Sequence, residues 1–157
     1  MDVRYINPFI NATINTLEMM TGLTPEPKTP YTKDNFTTQG DISGVIGFAE
    51  KNIIGSVILS FPEETAIILY NAMTGENIFR ITRDVEDSIG ELTNIVAGGA
   101  KTVLAAEGLS FNISIPSVIV GKSHTITSKV NAPIIVIPFQ LDRMRFVMEV
   151  TIKIEGQ

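Results

Sequence analysis

The sequence predicts an α+β fold, a single domain over residues 1–157 with a mainly antiparallel β-sheet covered by helices. The first observation is the order of the predicted elements: a helix, a β-hairpin, two helices and then four strands. This order differs from the regular strand–helix alternation of doubly wound proteins. The second is the last strand, residues 144–154, in which apolar and polar side chains alternate. Such alternation is typical of an antiparallel sheet with one solvated face.

Composition narrows the classes of function. The chain has 157 residues, a formal net charge of −5 and no cysteine. An acidic chain is a poor match for the phosphate backbone of nucleic acids. The lack of cysteine excludes disulfides and thiolate metal sites and favours the cytoplasm. No apolar run reaches the roughly 18 residues that cross a bilayer, and no signal-peptide pattern is visible. We therefore expect a cytoplasmic protein with neither nucleic acid nor membrane as its partner.

The first half of the chain predicts one helix, an irregular connection and a hairpin. The helix is expected to begin with Asn7 as N-cap and Pro8 as its first residue, and to end at Gly22. Residues 24–40 contain three prolines and predict an irregular surface segment with a short strand near its end. Residues 41–61 form two β-rich runs separated by a short polar turn, which favours a hairpin.

A second helix is predicted directly after the hairpin. Ser60 and Glu63 have the spacing of a capping box, Pro62 favours a helix start, and Gly75 is a natural stop. After the third helix, the chain is strand-like to its end. The candidate strands are residues 111–120, 125–129, 133–139 and 144–154.

The long helix predicted over residues 84–108 is the element on which the functional interpretation depends. We expect Asp84 as its N-cap and Gly108 as its stop. Its apolar stripe recurs at three- and four-residue steps: Val85, Ile89, Leu92, Val96, Ala100 and Val103. The residues that point away from this stripe are Asp87, Glu91, Asn94, Gly98 and Lys101. Glu91 and Asn94 are three apart and are therefore neighbours on the outward face.

Three glycines make this helix unusual. Gly90, Gly98 and Gly99 together give up about 2–3 kcal/mol of helix stability relative to alanine. That is a sizeable share of a typical domain stability of about 5–15 kcal/mol. Gly90 and Gly98 stand four residues either side of Asn94, and we interpret them as clearance around its side chain. We expect Gly99, close to the apolar stripe, to let the helix approach the sheet.

Several chemistries are absent from the sequence. His124 is the single histidine, so a histidine-rich metal site is excluded, and we expect it to be an ordinary surface residue. No G-x-S-x-G elbow, P-loop or glycine-rich dinucleotide motif occurs. The cluster Asp84, Glu86 and Asp87 is explained by the helix N-terminus rather than by a metal. From the residues alone, Glu91 and Asn94 could be either a solvated helix face or a functional pair.

The pattern around this pair resembles the signature of a known family. Asp87, Glu91 and Asn94 form D-x-x-x-E-x-x-N, and Pro116 follows 22 positions after Asn94. This resembles the CheC/CheX/FliY family of chemotaxis phosphatases. Three segments are similar to CheX-type members of the family: NPFINATINTLEMMTG, FPEETAIILYNAMTGE and ELTNIVAGGAK. The resemblance extends from Asn7 to the last strand and implies the CheC-like fold.

The resemblance also implies a function. Members hydrolyse the aspartyl-phosphate of a CheY-like response regulator. Glu91 would pair with a lysine of the regulator, and Asn94 would insert beside the phosphoryl group and orient water. The chain itself would need no cofactor, since Mg²⁺ would be bound by the partner response regulator. The alternative is a non-catalytic module of the same fold that binds a receiver domain or serves in a flagellar switch.

Two further expectations come from the family. Some CheC-like members carry a second E-x-x-N on a pseudo-equivalent helix. The first helix here offers Glu18 and Thr21 at that spacing, with threonine in place of asparagine, so we expect one site per subunit. CheX-like proteins dimerise by sheet pairing, which implies a homodimer.

Asp87 is interpreted as a helix-end charge without a catalytic role.

Overall fold

The computed structural model describes residues 3–155, which fold into three helices and one eight-stranded antiparallel sheet. The helices are α1 Val3–Thr21, α2 Glu63–Thr74 and α3 Arg83–Ala106. The strands are β1 Glu26–Pro27, β2 Tyr31–Lys33, β3 Ile42–Glu50, β4 Ile53–Phe61, β5 Asn112–Ile113, β6 Ser117–Val120, β7 Ile134–Leu141 and β8 Met144–Ile154. The predicted α+β class and antiparallel sheet are confirmed.

The sheet has an internal pseudo-two-fold symmetry. Its order is β1-β7-β8-β4-β3-β5, with β2 also paired to β7 and β6 to β3. Exchanging β1 with β5, β2 with β6, β3 with β7 and β4 with β8 leaves this order unchanged. The register follows the same rule, because Glu26 lies opposite Gln140 just as Asn112 lies opposite Ala49. A unit of one helix and four strands therefore occurs twice, and α2 lies between the two copies.

The core fills the space between the helices and one face of the sheet. Phe61 and Phe139 stack on either side of Phe146, with ring centroids 5.1 and 4.9 Å apart. Alternate residues of β8 face this core as predicted: Phe146, Met148, Val150 and Ile152 are buried. Burial of these aromatic and branched aliphatic side chains makes the largest contribution to the stability of the fold.

The face of β8 that points away from this core was predicted to be exposed to solvent, but its central residues are buried. Val147, Glu149 and Thr151 are 6, 4 and 4% exposed. Phe36, from the segment between β2 and β3, packs on Val147 and its neighbours in β7. Residues 126–130 border the same region of the sheet. The alternation in β8 is confirmed, but both faces of the strand are covered over residues 146–152, and only Arg145 and Lys153 on the outer face are exposed.

A buried ion pair lies under this cover. Lys33 Nζ is 2.8 Å from Glu149 Oε2, and the side chains are 9 and 4% exposed. Lys33 also donates a hydrogen bond to the carbonyl of Thr37 at 2.8 Å. Burial raises the pKa of the Glu149 carboxyl, and Lys33 opposes that rise. The ion pair therefore links β2 to β8, and each buried charge is stabilised by the other.

The predicted start of α1 and the predicted capping residue of α2 are wrong. α1 already includes Val3, so Pro8 lies inside the helix and Asn7 is not its N-cap. Ser60 belongs to β4, where its hydroxyl bonds that of Ser43, and it does not cap α2. Instead, the carboxylate of Asp41 accepts a hydrogen bond from the backbone N–H of Glu63 at 2.8 Å. The cap of α2 comes from a residue that is close only in the folded chain.

The remaining predictions of elements are mostly confirmed. Gly22 and Gly75 have φ of +76° and +77° at the ends of α1 and α2, a left-handed conformation that suits glycine. The hairpin is β3 and β4, and the strand predicted over residues 111–120 is divided into β5 and β6. No strand forms over residues 125–129, where Thr125 makes a single bridge to Thr37.

Candidate functional site

The long helix begins and ends close to the predicted residues. Its N-cap is Thr82, whose hydroxyl accepts from the Val85 N–H at 3.4 Å, and not Asp84. Asp84 lies in the first turn, where the helix dipole favours a carboxylate. At the other end, Gly108 has a φ of +90° and ends the helical path, as predicted.

The buried stripe places Glu91 and Asn94 on the outer side of α3. Val85, Ile89, Leu92, Val96 and Ala100 are fully buried, as predicted. Val103 is 46% exposed and Leu104 takes its place in the core. The buried face is wider than the predicted stripe, because Thr93 and Ala97 are buried as well, and Leu104 lies on the same side of the helix as these two residues. Glu91 is exposed and Asn94 is half-buried, one turn apart.

The backbone of β3 packs closely against α3 just below Asn94. A Cβ added to Gly44 would overlap the side chain of Thr93 and lie 3.2 Å from the carbonyl oxygen of Ile89. Thr93 is fully buried, and its hydroxyl donates to that same carbonyl at 2.7 Å. The helix can approach the strand this closely only because Gly44 has no side chain. The residue before Asn94 is therefore fixed in position.

The three helix glycines have different surroundings. Gly90 is buried, and a Cβ there would lie 3.2 Å from Val118 Cγ2 and 3.8 Å from Pro116 Cγ. The interpretation of Gly90 as clearance for Asn94 is wrong, because the missing side chain makes room for Val118 of β6 and for Pro116 just before it. A Cβ at Gly98 would meet nothing within 4 Å, so its role as clearance stays a prediction. Gly99 faces Ala12 of α1 and not the sheet.

The pseudo-two-fold axis identifies the counterpart of the Glu91–Asn94 pair. α1 and α3 meet where a Cβ on Gly99 would be 3.3 Å from that of Ala12. Helices related by a two-fold axis cross on that axis, so these two residues are equivalent. Leu17 and Leu104, five residues further along, are both fully buried, at 1 and 0% exposure.

The same equivalence corrects the predicted comparison between the helices. Asn7 and Asn94 each lie five residues before the crossing and are therefore equivalent. Arg4 and Glu91 each lie eight residues before it and are equivalent in the same way. The first copy therefore carries R-x-x-N, and the segment with Glu18 and Thr21 is not the counterpart. Glu18 and Thr21 share the three-residue spacing of the motif, but they do not occupy the equivalent position on the helix.

His124 is not the ordinary surface residue that the sequence predicts. It is half-buried, with Nε2 2.6 Å from Ser43 Oγ and Nδ1 2.6 Å from the carbonyl oxygen of Gly121. Ser43 is 0% exposed, so a substrate cannot reach its hydroxyl. The second ring nitrogen meets a carbonyl rather than the carboxylate of a hydrolytic triad. The contact joins the segment after β6 to the sheet.

Residues 3–155 contain neither a metal cluster nor a membrane-spanning helix. No group of three or more histidine or acidic side chains in this range could hold a metal ion. No helix in the same range is long and apolar enough to cross a membrane. Asp87 is exposed on α3, one turn before Glu91.

Comparisons with known proteins agree on one family. The model of the family "Chemotaxis phosphatase CheX" matches residues 42–140. The curated CheY-P phosphatase CheX of Thermotoga maritima is 31% identical over 129 residues, 82% of this chain and 83% of that protein. A crystal structure of a CheC-like superfamily protein from Shewanella sp. PV-4 matches with a TM-score of 0.91 and 35% identity, covering 98% of this chain and 99% of that one.

A further structure contains two proteins. The CheX–CheY–BeF₃–Mg²⁺ complex from Borrelia burgdorferi matches with a TM-score of 0.81 and 27% identity, covering 95% of this chain and 97% of that one. The family model and the Thermotoga relative each cover more than half of the chain. The chain therefore belongs to the CheX family of chemotaxis phosphatases.

Proposed function

We propose that this protein is a phosphatase that accelerates hydrolysis of the aspartyl-phosphate on a CheY-like receiver domain. Its family membership supports this reaction, as does the name of the Thermotoga relative, a CheY-P phosphatase. The Borrelia complex pairs a CheX with a CheY. The observation that carries the proposal is the placement of Glu91 and Asn94 on the outer face of a helix that is fixed to the sheet.

Asn94 is proposed to act by positioning water. A carboxamide is not a base at neutral pH, but it donates and accepts hydrogen bonds at the same time. It can therefore hold a water molecule in line with the scissile P–O bond while it contacts the phosphoryl group. Rigid support matters for this role, because a displacement of about 1 Å can lose a large part of the rate. The Gly44–Thr93 contact supplies that support.

Glu91 is proposed to dock the receiver. Its carboxylate is exposed one turn before Asn94, where it can form a charge-assisted hydrogen bond with a lysine of the receiver. We assign Mg²⁺ to the receiver, because the matching complex contains the ion together with CheY. This division leaves positioning and docking to the phosphatase, and metal chemistry to its substrate.

Phosphate release from a phosphorylated receiver tests the function. The chain, in amounts well below the receiver, is mixed with a phosphorylated CheY-type receiver of the same organism, and inorganic phosphate is followed. We expect many turnovers per phosphatase molecule. A non-catalytic binding module would bind the receiver without shortening the lifetime of its phosphoryl group.

The single site per subunit and the homodimer stay predictions.

Replacement of Glu91 by lysine is expected to weaken docking. Reversing the charge opposite a lysine should raise KM about 10-fold, equivalent to about 1.4 kcal/mol, with a much smaller change in kcat. Kinetics at several salt concentrations provide the measurement, since salt should reduce the difference. Glu64→Lys makes the same charge change on the exposed face of α2 and serves as the control. Equal KM values for Glu91→Lys and the wild type would contradict the docking role.

A further inference from the structure

Three asparagines form a strip along the exposed face of α1. Asn7, Asn11 and Asn15 are spaced by four residues, so their side chains follow one another on the helix surface. All three are exposed, and their amides make no hydrogen bond with another described residue. Asparagine is a poor helix former, because its side chain competes for backbone hydrogen bonds. This asparagine strip weakens α1 without a compensating contact inside the described chain.

The asparagine strip borders a groove between α1 and α3. The groove has a volume of about 440 Å³, and its α3 side is lined by Ile95, Gly99 and Val103. The close contact of Gly99 with Ala12 marks the crossing of the two helices along it. The groove is therefore amphipathic, with amides along one wall and apolar side chains along the other.

The groove lies beside the proposed docking residue. Ile95, which lines the groove, follows Glu91 by four residues in α3, so these two side chains are neighbours on the helix surface. The charged residues of its lining, Arg4 and Glu107, belong to the start of α1 and the end of α3, away from Asn94. A partner that contacts Glu91 would therefore meet a neutral lining at the near end of the groove. The groove itself offers hydrogen bonds and apolar contact, beside the charge of Glu91.

We propose that this groove is a second docking surface for the receiver domain, an inference that rests on the proposed function. Receiver domains of the CheY type are doubly wound, and their functional site lies at the carboxyl ends of the strands, where loops connect to helices. Such loops present main-chain N–H and C=O groups without partners in secondary structure. Carboxamides donate and accept together, so the asparagine strip matches both kinds of group.

The two docking elements then have separate roles. Glu91 provides the charged contact beside the phosphoryl group, and the asparagine strip fixes the angle at which the receiver lies on α1 and α3. Ile95 and the partly exposed Val103 add apolar contact on the other wall. Hydrogen bonds at a contact surface determine orientation more than rate of chemistry, so their loss should affect KM and leave kcat intact.

The double variant Asn11→Ala/Asn15→Ala tests the inference. We expect KM for the phosphorylated receiver to rise about 10-fold, the scale of two lost hydrogen bonds, with kcat unchanged. The melting temperature should rise by about 2–4 °C, because alanine is the better helix former at exposed positions. Weaker binding together with higher thermal stability excludes a damaged fold as the cause. Asn131→Ala, an exposed asparagine in a loop, is the control and should change neither quantity.

Direct binding separates this inference from the proposed function. The probe is the receiver of the same organism activated with beryllofluoride and Mg²⁺, which measures docking without hydrolysis. Weaker binding by the double variant supports the groove even if the wild-type chain proves unable to accelerate dephosphorylation. Binding as tight as that of the wild type overturns it. A change in the oligomeric state of the double variant, with receiver affinity intact, also overturns it and assigns the groove to a second copy of the chain.

Discussion

Replacement of Asn94 by alanine is expected to lower kcat by about 100-fold with little change in KM. The carboxamide is proposed to hold the attacking water only as the P–O bond breaks, so its loss removes a contact made in the transition state. Losing one such aligned contact typically lowers the rate by about 10²–10³-fold. Because ground-state docking depends on other residues, the effect should appear in kcat and in kcat/KM equally. Steady-state phosphate release from a phosphorylated receiver is the measurement.

Stability provides the internal control for this variant. Alanine is a better helix former than asparagine, so Asn94→Ala should melt at or slightly above the wild-type temperature. Lys101→Ala, two turns further along α3, is the matched substitution and should keep the wild-type kcat. A folded Asn94→Ala protein with the wild-type kcat would remove Asn94 from the mechanism.

Replacement of Lys33 by methionine is expected to lower the free energy of unfolding by about 3–5 kcal/mol at neutral pH. The methionine leaves the carboxylate of Glu149 buried at 4% exposure without its cation, and breaking a buried pair on one side typically has this effect. Urea unfolding at pH 7 is the measurement. The double variant Lys33→Met/Glu149→Met removes both charges and should recover most of the loss. If the single variant is as stable as the wild type, the ion pair does not hold the two strands together.

The pH dependence of Lys33→Met provides a second readout. Burial raises the pKa of Glu149 from its ordinary value of 4.5, and loss of Lys33 removes the interaction that opposes this rise. A carboxyl with a folded pKa above its unfolded pKa contributes stability that is present below the unfolded value. That stability is lost as pH rises through the folded pKa. The deficit of the variant should therefore be small in acid and grow as the pH increases above about 4.5.

Elements defined by local periodicity could be predicted from the sequence. The apolar stripe of α3 was correct from Val85 to Ala100, and so was the core-facing set in β8. The exposed placement of Glu91 follows from the same 3.6-residue period. Such patterns are visible in sequence because the residues that share a face are close together in the chain.

Features that depend on distant residues could not be predicted in this way. Phe36 covers Val147 across the sheet, and Asp41 caps α2, in both cases from another part of the chain. Ser43 and His124 meet although 81 residues separate them. Gly90 lies away from the apolar stripe, yet the residues around β6 cover it.

The pseudo-two-fold symmetry was also hidden in the sequence. It is expressed in strand order and register, while many equivalent positions carry unlike side chains. Glu26 opposite Gln140 corresponds to Asn112 opposite Ala49, for example. The motif comparison therefore selected Glu18 and Thr21 by spacing, whereas the helix crossing identifies Arg4 and Asn7 as the counterparts of Glu91 and Asn94. The proposed roles of Glu91 and Asn94 come from the family resemblance rather than from any pattern in the helix.

The decay of a phosphorylated CheY-type receiver at a saturating concentration of this protein is the most direct test of the proposed phosphatase activity and of the role of Asn94. Saturation removes docking from the comparison, so the decay constant reports the chemical step alone. We expect fast decay with the wild-type chain and, with Asn94→Ala, decay slower by about 100-fold or limited by the spontaneous rate. If the phosphorylated receiver decays at its spontaneous rate in the presence of the saturating wild-type chain, the protein is not a phosphatase for that receiver.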